Sequence, residues 1–219
     1  MNPFKRAHTV LTSAALLLTL GLTACDQAAP TAEGTAFEAN ASANSHATPF
    51  AFEAAPDGSG FPVGTLFHPT GGSSLLKRGS DYVRINVNTN GLPEAVFTGW
   101  WVVFNNPEFC DGGPNSCGLD DFPGNGGDPD IDASLLWGAG GLVGHDGTGH
   151  FRGTLVEGVS PGQVVFGPGL QDAENAVIHY AIRSHGPASD DPDILELQLT
   201  EFLGGCGEYP CFNTQIVVH

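Results

Sequence analysis

Beyond an apolar run near its start, the chain alternates hydrophobic and polar residues with period two rather than the helical 3.6. In YVRINVN, Val83, Ile85 and Val87 share one face while Arg84, Asn86 and Asn88 share the other. In VIHYAIRS, Ile178, Tyr180 and Ile182 alternate with His179, Ala181 and Arg183, and in ILELQLTEF, Leu195, Leu197 and Leu199 alternate with Glu196, Gln198 and Thr200. This is the pattern of strands covered on one face and wet on the other. FTGWWVVF is apolar on both faces and TQIVVH nearly so, as central or doubly covered strands are. The runs place strands near 82–88, 97–104, 134–143, 149–156, 162–166, 176–184, 194–202 and 212–218. About eight short strands separated by glycine-rich turns predict an all-β domain, a single antiparallel β-sandwich.

Turn chemistry supports these boundaries. Asn90-Gly91 follows the Val83 strand, and His145-Asp146-Gly147 separates two of the later runs. One connection is much longer than usual, residues 105–132, and such loops are generally functional, disordered or stapled. It contains Cys110 and Cys117; Cys206 and Cys211 flank a second loop near the end. Four cysteines allow three pairings. The local one, Cys110–Cys117 with Cys206–Cys211, is favoured because each pair brackets a loop containing Gly or Pro. Closing such loops stabilises by about 2–2.5 kcal/mol apiece in the chain-entropy model. A zinc ribbon is a poorer reading, since Cys110 and Cys117 are spaced more widely than its thiolates usually are.

The first residues carry a different message. Lys5 and Arg6 precede an apolar segment from Val10 to Leu22, followed by small residues, the layout of a secretory signal. The segment is shorter than the ~20 residues that span a bilayer. Leu22-Thr23-Ala24-Cys25 resembles the lipobox of bacterial prolipoproteins. The resemblance implies that residues 1–24 are a signal peptide, that Cys25 is lipidated, and that the membrane is contacted through that lipid. Two or three acyl chains anchor lastingly where one holds only marginally. Asp26 resembles an inner-membrane retention signal whose rule differs between bacterial groups, so the expected location is the bacterial cell envelope, facing the periplasm or exterior, with inner and outer membrane both open. Residues 25–60, rich in Ala, Gly, Ser, Thr, Asn and Pro, are expected as a flexible tether, with the sandwich over 61–219.

Charge narrows the partners. The chain has 24 acidic against seven Lys and Arg residues, a formal charge of −17 that becomes −19 once Lys5 and Arg6 leave with the signal. Nucleic acid is excluded on this balance, because its binders neutralise phosphates with Lys and Arg. Attraction of cations is the complementary expectation. Asp128, Asp130 and Asp132, oxygen ligands at every second position of the long loop, form the candidate calcium site. The EF-hand pattern is departed from, with Ala133 at the sixth loop position and Ala139 at the twelfth. GHDGTGHF and HGPASDDPD, around His145, His150 and His185, resemble the metal loops of copper/zinc superoxide dismutases but lack the His-x-His pair that binds copper. HGPA also resembles a four-residue stretch of chordin-type β domains.

WWVVFNNPEFC, RSHGPA and GGCGEYPCFNTQIVVH resemble a group of exported bacterial proteins of unassigned function, which implies a shared fold and local disulfides. There is no Gly-x-Ser-x-Gly nucleophile elbow. The function expected is therefore that of an envelope lipoprotein serving as a non-catalytic binding or structural module. The alternative is a metal-dependent periplasmic enzyme or metal-binding protein using the histidines and the acidic loop.

Overall fold

The alternating segments pair as antiparallel ladders throughout. A computed structural model describes residues 44–52, 67–207 and 209–219; the signal segment and Cys25 lie outside them. In chain order the strands are β1 (Asn44–Ala47), β2 (Phe50–Phe52), β3 (Phe67–Pro69), β4 (Ser73–Arg78), β5 (Tyr82–Thr89) and β6 (Ala95–Phe104). They continue with β7 (Ala133–Val143), β8 (Gly149–Val156), β9 (Val164–Phe166), β10 (Val177–Ser184) and β11 (Phe212–Val218). A four-stranded sheet runs β1-β4-β5-β8, and a seven-stranded sheet runs β3-β2-β11-β10-β6-β7-β9. The molecule is the expected all-β antiparallel sandwich with disulfide-stapled loops, though with more strands than the eight read from the sequence.

The core lies between the sheets. Leu76, Val83, Ile85, Val87, Phe151 and Leu155 from the small sheet meet Phe97, Trp101, Val103, Leu136, Ile178 and Tyr180 from the large one. The large sheet is covered on its other face too. There Trp100, Val102 and Phe104 pack with Phe122, Ile131 and the Cys110–Cys117 disulfide of the long loop. This explains the doubly apolar β6: Trp101 stacks edge-on against Tyr180 inside, while the neighbouring Trp100 meets Phe202 outside. Gly99 and Gly138 are required here, because a Cβ at either would enter the Tyr180 ring.

Two expectations need correction. The run at 194–202 is a helix, α1 (Pro192–Thr200), not a strand. Leu195 and Leu199 are four apart, so a helix places them on one face as readily as a strand does. The preceding Asp-Pro decides between them. Asp191 accepts a hydrogen bond from the Asp193 backbone N–H at 2.9 Å, and Pro192 occupies the first helical turn. Leu197 is left exposed and Gln198 buried, where its Nε2 donates to the carbonyls of His185 and Pro187. The second correction concerns the tether: residues 44–47 and 50–52, placed in it, are β1 and β2, one in each sheet. Among the described residues no helix is long and apolar enough to cross a membrane.

Candidate anion-binding face

The three aspartates singled out for calcium do not converge. Asp128 accepts from the Asp130 N–H at 2.9 Å, capping a single 3-10 turn, and Asp132 ends that turn with φ of 50°. Among the described residues the one group of three side chains whose ligand atoms converge is His185, Cys206 and Cys211, not the three aspartates. The turn is the physical reason, since it faces alternate carboxylates in different directions and engages Asp128 with its own backbone. The histidines are dispersed as well. His145 pairs with Glu94 at 2.6 Å on the surface, and His150 lies on β8 beside Asn88.

The long loop is organised by a different carboxylate from the three singled out for calcium. Asp121 is buried, and its two oxygens accept from the backbone N–H groups of Asp111 and Gly118, each at 2.7 Å. Together with the Cys110–Cys117 disulfide, this shapes the loop as a lid on the large sheet. Cys206 and Cys211 are joined too, so the thiols beside His185 form a staple.

His185 is a satisfied core histidine. Its Nδ1 donates to the Gly204 carbonyl at 2.8 Å, so Nε2 accepts from the Thr98 hydroxyl at 2.7 Å, and that hydroxyl accepts in turn from Trp100 Nε1. Burial pushes its pKa down to about 4. His179, packed edge-on against Phe104, is likewise lowered by burial to about 4. His219 sits between the hydroxyls of Ser45 on β1 and Ser74 on β4, at 2.9 and 2.7 Å, and is lowered to about 3, first by burial. It joins the end of the large sheet to the edge of the small one.

The distinctive surface is elsewhere, on the outer face of the small sheet. Beyond Lys5 and Arg6 the chain has five Lys and Arg residues: Lys77, Arg78, Arg84, Arg152 and Arg183. Arg183 is buried, donating to the carbonyls of Phe202 and Cys211 and lying over the Phe202 ring at 4.2 Å. Arg78 is half-buried and donates to the Ala173 carbonyl at 2.9 Å. The other three, Lys77, Arg84 and Arg152, are exposed and line one groove of about 570 Å³ across β4, β5 and β8.

Strand register builds this convergence. Lys77 stands directly opposite Arg84, and Arg84 is two residues from Asn86, which faces Arg152. Period two then puts all three cations on the outward side. None of the outward positions of the four strands is Asp or Glu, in a chain with 24 of them. Among the described residues none of the three cations has an ion-pair partner. Both arginines are held in place: Arg84 Nε donates to Thr154 Oγ1 and Arg152 Nε to Asn86 Oδ1, each at 3.2 Å. Like charges directly across a ladder are destabilising. The sheet carries that cost on a face where, among the described residues, no carboxylate relieves it.

Reading YVRINVN as a wet strand shows that Arg84 faces outward, but not that β4 and β8 lie on either side of it. The overlooked signal was the scarcity of Lys and Arg, which makes the location of each one informative. No protein-family model, curated protein or solved structure matches the chain.

Proposed function

We propose that this protein is an envelope lipoprotein, lipidated on Cys25, that acts as a non-catalytic binding module and recognises an anionic ligand through the outer face of its four-stranded sheet. The observation that carries this reading is the gathering of Lys77, Arg84 and Arg152 on a face without carboxylates. A protein of such acidity repels anions over long range, so an anion must be captured by local, preorganised donors. Two arginines pinned through Nε supply them, with their terminal N–H groups left for a bidentate oxyanion. The same acidity limits association with polyanions in general, which leaves selectivity to the groove.

Two measurements test this. Replacing Cys25 by Ser removes the lipid acceptor, so the variant should accumulate as uncut precursor or soluble protein; processed protein that still partitions into detergent refutes the anchor. The soluble Cys25→Ser protein should also be retained by isolated envelope material at low salt. Adding Lys77→Glu, Arg84→Glu and Arg152→Glu together should abolish retention without unfolding the domain. Unchanged retention removes the recognition face from the proposal.

A further inference from the structure

We infer that the ligand of this face is a linear acidic polysaccharide, a chain of sugars bearing a carboxylate at regular intervals; the inference rests on the binding-module reading above. Directly opposed residues have Cβ atoms about 5 Å apart and diagonal ones about 7–8 Å, so Lys77, Arg84 and Arg152 form a bent row rather than a tripod. From strand spacing and rise, the backbone positions of the row extend about 12 Å across three strands. A single small oxyanion occupies one end of such a row. A polymer with recurring charge occupies all of it.

Arg84 reaches toward Thr154 on β8, and Arg152 reaches back toward Asn86 on β5. The two guanidiniums therefore lie along the sheet, anchored in opposite directions on separate cross-strand pairs. They present a flat series of donors to a ligand laid across the strands.

A sugar chain and an acidic peptide differ in what they need from the sheet. Extended peptides gain affinity from main-chain hydrogen bonds at an open sheet edge and specificity from side-chain pockets. The strand beneath the groove, β5, is interior, with its backbone paired to β4 on one side and β8 on the other. The groove accordingly offers side chains alone. Apart from the cations these include Asn86 and Thr154, an amide and a hydroxyl that both donate and accept, as sugar hydroxyls do.

Calorimetric titration of the Cys25→Ser protein with polygalacturonate, neutral dextran, polyglutamate and inorganic phosphate decides the matter. Polygalacturonate should bind, more weakly as salt rises, while dextran and phosphate should not bind measurably and polyglutamate should bind at least tenfold more weakly. Lys77→Gln, Arg84→Gln and Arg152→Gln should each weaken polygalacturonate binding up to about fivefold, the range of an exposed ion pair. The triple variant should lose it, with the melting temperature unchanged or raised by removal of the opposed charges. Polyglutamate or phosphate binding as tightly as the uronate polymer overturns the polysaccharide. If envelope retention still depends on the three cations in that case, the recognition face survives. Equal uronate binding by wild type and triple variant overturns the groove as the polysaccharide's site, and unaltered retention alongside it overturns the face as well.

Discussion

Individual buried side chains set the pH response of this fold. His179, His185 and His219 have pKa values lowered from 6.5 to about 4, 4 and 3, chiefly by burial. In the unfolded chain each takes up its proton near pH 6.5, whereas in the folded protein it does so only in stronger acid. The unfolded state thus binds more protons between these values, and stability falls as pH falls. Above about pH 6.5 the three contribute no slope; from there down to about pH 4 each contributes up to about 1.4 kcal/mol per pH unit. Urea melts at pH 7, 6 and 5 should show the decline. His179→Leu, which replaces the one of the three whose side chain has no hydrogen bond among the described residues, should flatten it by about one proton; an unchanged slope would mean that His179 titrates normally. Asp121 is the other decisive residue, since it satisfies two backbone donors. Asp121→Ala should cost about 3 kcal/mol, from two charge-assisted hydrogen bonds. Faster amide exchange confined to residues 105–132 would locate the loss.

At the scale of elements, α1 shows how one pattern supports two structures. Its leucines fit a strand by alternation and a helix by their four-residue repeat. Removing the cap tests which local signal holds it: Asp191→Ala should lower stability by about 1 kcal/mol, read as a small fall in denaturation midpoint at constant slope. No change would mean that packing against β6 and β7 alone determines the helix. The strands β5, β6 and β10 were legible because each has at least one continuously buried face, and β7, β8 and β11 because apolar residues alternate or run together along part of their length. By contrast β4 contains the adjacent pair Leu75-Leu76, which interrupts alternation, and β1 and β2 are too short for a period to emerge. They are strands because the sheets offer them partners.

For the whole molecule, charge distribution matters more than charge total. Because Asp128, Asp130 and Asp132 do not converge, calcium should stabilise the protein no more than magnesium at equal ionic strength, through screening alone. Thermal melts in the two salts check this, and a calcium-specific rise that disappears in Asp130→Asn would restore the site. The sequence by itself determined the β class and the doubly covered β6 and favoured the local disulfides, because alternation, two-faced hydrophobicity and short Cys spacing are properties of neighbours along the chain. Only tertiary structure decided that the acidic loop is a lid, that His219 lies between Ser45 and Ser74, and that Lys77, Arg84 and Arg152 share a groove. Those three cations come from strands up to 75 positions apart, and hydrogen-bonded register, which no local period encodes, sets them side by side.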